Sequence, residues 1–219
     1  MKFSNLFIYT LLFVLIIGIS CKKKKEPEPA AGITSKYWIQ YTLDGSQVTI
    51  EDGKNSYSNA ASYSSSSSSC NSGYSDVELS GCFFIATQLI SGNVKNAIYV
   101  TLTKEFPDSV STPTDVELNA MATVGSYNYF ECSASSVGAE VWYVDGNGIY
   151  WNSTAGTADQ TGSTFALTKV TNDPSYNPNT GGYYNKLTVE GNFSCKVYDG
   201  NGNFKTITGG KFNTRLQPL

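Results

Sequence analysis

The sequence contains no histidine among its 219 residues. Histidine is the base of Ser-His-Asp and Cys-His catalytic systems and a ligand in many zinc sites. Its absence excludes these classes of enzyme and metal centre. The sequence also lacks a CxxC pair, which disfavours a zinc site built from four thiolates. We therefore expect a protein that is not an enzyme and that needs no cofactor.

Positive charge is scarce after the N-terminal segment. Residues 33–219 carry ten basic and sixteen acidic side chains, a net charge of about −6. Nucleic-acid binding depends on neutralising phosphates, so this excess of acidic residues argues against a nucleic-acid partner. The same 187 residues are enough for one domain with a hydrophobic core and short for two.

Helical periodicity is also missing after the N-terminus. Short runs of alternating polar and apolar residues, separated by Gly, Asn and Asp, are typical of antiparallel strands. They predict an all-β fold, a single antiparallel β-sandwich over residues 33–219, with a β-barrel as the alternative.

Two hairpins are the most legible part of this pattern. Residues 36–51 turn at Asp44-Gly45, and residues 139–152 turn at Asp145-Gly-Asn-Gly, whose residues accept a positive φ readily. The predicted core side of the first strand carries four residues, Tyr37, Ile39, Tyr41 and Leu43. The serine-rich residues 52–74 are predicted to form a mobile loop, because such a stretch buries little apolar area.

The one long apolar run lies at the N-terminus. Residues 6–19 follow Lys2 and end two positions before Cys21. The run is about 14 residues long, which suits the core of a signal peptide and is short for a membrane span. The run and its cysteine resemble a bacterial lipobox, although Gly18 stands where Leu is usual.

This leader predicts the location of the protein. We expect a lipoprotein signal peptide over residues 1–20, and a charged, proline-containing tether over residues 21–32 that begins with a lipidated Cys21. Membrane lipid would then be a partner of the protein, contacted through the acyl chains on Cys21. The alternative is a transmembrane anchor held in the cytoplasm by the lysines of residues 22–25, with Cys21 incidental.

Four cysteines follow Cys21. An even number in an exported domain predicts up to two disulfides. The proximity of Cys70 and Cys82 in the sequence favours Cys70–Cys82 with Cys132–Cys195. The other two connectivities, and free buried thiols, are the alternatives.

Aromatic residues cluster around the second hairpin turn. Trp142, Tyr150 and Trp151 flank Asp145, and flat aromatic faces stack on sugar rings. We therefore take these three residues as candidates for a glycan-binding platform. Packing within the sandwich is the alternative, and it is the interpretation we assign to Trp38.

Two pairs of carboxylates are spaced two residues apart, Asp76 with Glu78 and Asp115 with Glu117. On a strand each pair would project from one face, and two carboxylates across a cleft can serve glycoside hydrolysis. A solvated strand face is the alternative.

A partial calcium loop begins at Asp199. Asp199, Asn201 and Asn203 supply alternating oxygen ligands, but Phe204 replaces the glycine expected at the sixth position and Gly210 the glutamate expected at the twelfth. We therefore expect a hairpin turn and no metal, with these three residues as the only candidates for a weak cation site.

The C-terminal half also resembles a protein family. The segments GAEVWYVDGNGIYWNS, TGSTFALTKV and GNFSCKVYDGNGNFKTITGGKF, within residues 120–215, are similar to uncharacterised Bacteroidota-type envelope lipoproteins. The resemblance implies an outer-membrane lipoprotein, with the membrane face undecided and no activity assigned. Asp108-Ser109-Val110 matches the O-glycan acceptor pattern of such proteins, which makes Ser109 a candidate modification site and an ordinary loop the alternative.

Taken together, these features predict a membrane-anchored envelope lipoprotein that acts as a non-enzymatic binding or structural module. The first alternative is a glycan-binding or carbohydrate-active accessory protein. The second is an assembly partner of an outer-membrane complex. Envelope proteins and glycans are the expected partners besides lipid.

Overall fold

The computed structural model describes residues 32–68, 70–87, 94–109, 113–131, 136–155, 159–177, 181–184 and 186–216. The predicted signal peptide, Cys21 and the tether before residue 32 lie outside these ranges. Within the described ranges, no helix has the length and apolar character needed to cross a membrane.

The described chain is built almost entirely of strands, which confirms the all-β prediction. The elements in chain order are β1 (Trp38–Leu43), β2 (Ser46–Glu51), β3 (Tyr57–Ser67), β4 (Tyr74–Ile85), β5 (Ala97–Pro107), helix α1 (Asp115–Met121), β6 (Gly125–Tyr127), β7 (Gly138–Val144), β8 (Tyr150–Asn152), β9 (Thr164–Asn172), β10 (Ser175–Asn177), β11 (Gly182–Tyr184), β12 (Leu187–Tyr198) and β13 (Phe204–Leu216).

Eleven of these strands form one antiparallel sheet that curls into a half-barrel. The order along the sheet is β2-β1-β13-β12-β8-β7-β5-β4-β3, with β9 beside β12 and β6 beside β9. The curl brings β3 and β4 against β13. A Cβ atom on Gly81 of β4 would lie 2.4 Å from Thr214 Oγ1 of β13, so a glycine is needed where the two halves of the sheet meet.

The hydrophobic core lies inside this curl. Phe83, Phe165 and Phe212, from three different strands, are among its largest fully buried side chains. Tyr37, just before β1, is buried, as are Ile39 and Tyr41 on β1, and Leu43 packs against the same cluster. This confirms the predicted core side. Both predicted hairpins are also present, since β1 pairs with β2 and β7 pairs with β8.

The serine-rich stretch forms a strand, so the prediction of a mobile loop is wrong. β3 spans Tyr57–Ser67 and pairs with β4 along its whole length. The pairing satisfies backbone hydrogen bonds without requiring buried side chains. The serine side chains can therefore remain largely exposed, and Ser64 Oγ donates to Glu78 Oε2 at 3.0 Å.

A short helix occupies a stretch where no helix was expected. Thr114 caps α1 through a capping box, in which its side chain accepts from the Glu117 backbone N–H and the Glu117 side chain accepts from the Thr114 backbone. The carboxylates of Asp115 and Glu117 therefore lie in the first turn of a helix. The interpretation of this pair as a same-face pair on a strand is wrong.

Both favoured disulfide pairs are wrong, because Cys82 and Cys195 are free, buried thiols. Cys82 lies eight residues into β4, about 27 Å along an extended strand from its start, whereas Cys70 precedes that start. A disulfide needs Cα atoms within about 7 Å. Cys70 is disulfide-bonded. Cys132 lies outside the described residues.

Candidate functional site

The outer face of the β3-β4-β5-β7 half of the sheet carries a groove of about 280 Å³. Strand alternation creates it, because Glu78 and Ser80 of β4 face outward while Val77 and Leu79 enter the core. We call it the outer groove. Its lining residues are Ser62, Ser64, Glu78, Ser80, Tyr99, Thr101, Trp142 and Tyr150.

Hydroxyl groups form the floor of the outer groove. Ser62 of β3 pairs with Ser80 of β4, Ser80 pairs with Thr101 of β5, and Thr101 pairs with Glu140 of β7. The four side chains therefore lie in one row across four strands. Ser80 Oγ and Thr101 Oγ1 are 2.8 Å apart and hydrogen-bonded, so the floor is polar and firmly held.

Aromatic side chains form one wall. Tyr99 of β5 pairs directly with Trp142 of β7. Trp142 in turn pairs with Asn152 of β8, and Tyr150 lies two positions from Asn152 on the same strand. Tyr150 is 54% exposed, and Trp142 is half-buried. The tight Asp145 turn sets this wall, because it brings Trp142 and Tyr150 to the same face of one hairpin.

A buried carboxylate, that of Glu140, fixes the position of the aromatic wall. Glu140 is only 4% exposed, and its Oε1 accepts from Thr103 Oγ1 at 2.6 Å. Its Oε2 accepts from Trp142 Nε1 at 3.2 Å and from Thr154 Oγ1 at 3.3 Å. Burial raises the pKa of Glu140, and the nearby charge of Glu78 adds to the rise. The Trp142 indole is thus held in place by a group that is itself fixed.

Further carboxylates lie on the same outer face. Asp76 shares this face of β4 with Glu78, as the sequence spacing predicts, and it pairs with Glu105 of β5. Burial raises the pKa of Asp76, as does the charge of Glu105. Glu105 accepts two hydrogen bonds from Asn71 Nδ2, at 2.9 and 2.7 Å, and one from Ser68 Oγ at 2.6 Å. It therefore anchors the β3–β4 turn.

Trp151 does not line the outer groove, and its burial favours the alternative of packing within the fold. It lies on the opposite face of β8 from Tyr150 and is only 8% exposed. Its Nε1 donates to Asp145 Oδ2 at 3.3 Å, and Lys205 Nζ lies 4.5 Å from its ring centroid. One face of the indole is therefore covered by Lys205, and its N–H is bound by Asp145.

The Asp199 segment is a hairpin turn between β12 and β13. Asp199 Oδ1 accepts from the backbone N–H groups of Asn201 and Asn203 at 2.8 and 3.2 Å, and its Oδ2 accepts from Asn203 Nδ2 at 2.7 Å. These hydrogen bonds lower the pKa of Asp199, and the bond from the Asn203 side chain has the largest effect. Across the described ranges, no group of three or more His, Cys, Asp or Glu side chains could hold a metal ion.

Two other predicted sites, at Ser109 and Cys21, lie partly or wholly outside the described residues. Ser109 is exposed in the turn after β5, while Val110 of its acceptor pattern lies outside the described residues. The O-glycan site therefore stays a prediction. Lipidation of Cys21 also stays a prediction, since Cys21 lies outside the described residues.

A second groove, of about 340 Å³, runs between residues 127–131 and residues 159–163. Its lining contains two carboxylates, of which Asp159 is paired with Lys196 Nζ at 2.6 Å and Glu131 is exposed. Tyr129 in its lining is buried, and its hydroxyl donates to the backbone carbonyls of Thr164 and Ser194. Its described lining residues include no tryptophan, whereas the outer groove presents Trp142 beside Tyr150.

No family model, curated protein or solved structure matches this chain. The function must therefore be inferred from the chemistry of the outer groove and from the sequence.

Proposed function

We propose that the protein is a non-enzymatic binding module of the cell envelope and that its outer groove binds carbohydrate. The observation that carries this proposal is the combination of Trp142 and Tyr150 with a floor of hydroxyl groups and the carboxylate of Glu78. Sugar rings have apolar C–H faces that stack on aromatic rings, and hydroxyl groups that exchange hydrogen bonds with serine, threonine and carboxylate oxygens. The groove offers both kinds of contact.

The arrangement of the carboxylates supports binding over hydrolysis. Glycoside hydrolysis needs two carboxyl groups that face the scissile bond from opposite sides. Glu140 is buried and accepts hydrogen bonds from Thr103, Trp142 and Thr154, so its oxygens are directed to the protein. Asp76 lies on the same face but does not line the groove, so Glu78 is the one carboxylate among the described lining residues. The alternative of a carbohydrate-active enzyme is therefore less well supported.

The proposed location rests on the sequence. A lipidated Cys21 and a charged, extended tether would hold the β domain at the outer membrane, on a face that the resemblance to Bacteroidota-type envelope lipoproteins leaves undecided. Such a tether leaves the groove free to meet glycans of the envelope or its surroundings. The alternative of an assembly partner of an outer-membrane complex stays a prediction.

The proposal is tested by screening the full-length protein, purified in detergent, on an array of envelope and plant polysaccharides. We expect binding to at least one glycan, and the variant Tyr150→Ala should weaken it about tenfold, which corresponds to about 1.4 kcal/mol. The reason is that stacking on an exposed ring buries apolar area that the alanine cannot supply.

Phe204→Ala is the matched control. Phe204 is 57% exposed, and like Tyr150 it stands five residues after the aspartate of an Asp-Gly-Asn-Gly turn, but it does not line the outer groove. Its replacement should leave binding unchanged. An equal loss in both variants, or no glycan bound by the wild-type protein, would contradict the proposal.

A further inference from the structure

The outer groove carries charge of one sign only. Glu78 is the one charged side chain among its lining residues, and the adjoining positions of the same face hold Asp76, Glu105 and Glu140. Lys104 of β5 alternates to the opposite face, where its Nζ lies 5.0 Å from the Phe106 ring centroid. Among the described residues that line the groove, none is basic, so no positive charge there offsets Glu78.

Glu78 is placed to contact a ligand, whereas Glu140 is not. Ser64 Oγ donates to Glu78 Oε2 at 3.0 Å, which orients the carboxylate. An ionised carboxylate accepts about four hydrogen bonds, so Glu78 keeps acceptor capacity for ligand hydroxyl groups. Glu140 is buried and already accepts from Thr103, Trp142 and Thr154.

We propose that the outer groove selects uncharged glycans and rejects those that carry carboxylate or sulfate groups, with Glu78 as the specificity-determining residue. This inference rests on the proposed function. Hydroxyl groups of a neutral sugar can donate to Glu78, whereas an anionic substituent would stand near a like charge in a partly desolvated groove. It would also leave the Glu78 oxygens without donors.

The test compares pairs of glycans in which one member carries carboxylate groups and the other does not. One pair is a galacturonan oligomer in its methyl-esterified and its free-acid form, and the other is a xylan oligomer with and without glucuronic acid branches. Binding to the full-length protein in detergent is measured at low ionic strength, where charge effects are least screened. We expect the wild-type protein to bind the uncharged member of each bound pair at least about tenfold more tightly.

Glu78→Gln should remove this preference. Glutamine keeps the shape of the side chain and can still accept from Ser64, so binding of the uncharged glycan should change by less than about threefold. The anionic member should then bind about as tightly as the uncharged one. Glu190→Gln is the matched control, because it makes the same change in net charge on β12, away from the groove, and should leave the preference intact.

The outcomes separate the two proposals. If glycans bind and Tyr150→Ala weakens them, but the anionic member binds equally or better, the inference is overturned and the proposed function stands. A preference that persists in Glu78→Gln overturns the role of Glu78 in the same way. If no probe binds in a manner that depends on Tyr150, the proposed function fails and the inference fails with it.

Discussion

The individual side chains of the outer groove were only partly predictable from the sequence. Trp142 and Tyr150 were predicted, together with Trp151, as candidate ligand-binding residues, because they flank a recognisable turn. Tyr99 and Glu140 were not singled out, since their importance depends on which strand lies beside which. A sequence shows the alternation within one strand, whereas the row from Ser62 to Glu140 crosses four strands and depends on their order in the sheet.

Glu140 gives a prediction at the residue scale. Its pKa is raised in the folded protein from an ordinary value of 4.5, so the folded state binds its proton more tightly than the unfolded chain does. The stability that this proton contributes is present below pH 4.5 and is lost as the pH rises through the raised pKa. The free energy of unfolding should therefore fall with pH more steeply in the wild-type protein than in Glu140→Gln.

Urea denaturation at a series of pH values from 4.5 upward checks this prediction. Asp76 also has a raised pKa, so Glu140→Gln should reduce the slope and not abolish it. Glu190→Gln, at a half-buried position on β12, serves as the control. Identical slopes in wild-type protein and Glu140→Gln would show that the buried carboxyl is not the titrating group.

At the scale of elements, the strands that were predicted correctly are those flanked by recognisable turn residues. The turns at Asp44-Gly45 and Asp145 have residues that favour tight hairpins, and the strands beside them formed where expected. Asp44 and Gly45 adopt φ values of 47° and 87°, as such a turn requires. β3 was missed because serine is a poor strand signal by itself and the strand depends on its pairing with β4.

Helix α1 was missed because it is only seven residues long and buries only Leu118 and Met121. A helix this short shows almost no apolar periodicity. The sequence did contain one usable signal, the capping box formed by Thr114 and Glu117.

Thr114→Ala gives a prediction at this scale. The substitution removes the side-chain acceptor for the Glu117 backbone N–H and should lower the free energy of unfolding by about 1 kcal/mol. Thr114→Ser keeps the hydroxyl and should retain most of that stability. Denaturant unfolding of the three proteins checks the prediction, and equal losses in both variants would mean that the cap is not what stabilises α1.

At the scale of the whole molecule, the fold depends on contacts between residues far apart in the sequence. The buried Asn59 of β3 donates from Nδ2 to Thr214 Oγ1 at 2.8 Å and to the Cys82 carbonyl at 3.2 Å, and its Oδ1 accepts from Arg215 Nε at 3.3 Å. These bonds join the two halves of the curled sheet. Alternation and turn residues identify strands but carry no information about such pairings, so the sequence predicted the fold class and not the curl.

Asn59→Ala should therefore destabilise the protein more than a surface substitution does. The change leaves buried polar groups of Thr214 and Cys82, and the partly buried Arg215, without this partner. The expected loss is about 2 kcal/mol in the free energy of unfolding. Thermal or urea unfolding measures it. A loss below about 0.5 kcal/mol, typical of surface positions, would mean that Asn59 does not hold the halves together.

The central claim is that the outer groove binds a glycan through Trp142 and Tyr150. A crystal structure of the protein with the tightest-binding uncharged glycan from the array tests it most directly. The account predicts a sugar ring stacked on the aromatic wall, with its hydroxyl groups within hydrogen-bond distance of Glu78. A glycan bound elsewhere on the molecule, with the outer groove empty, would contradict it.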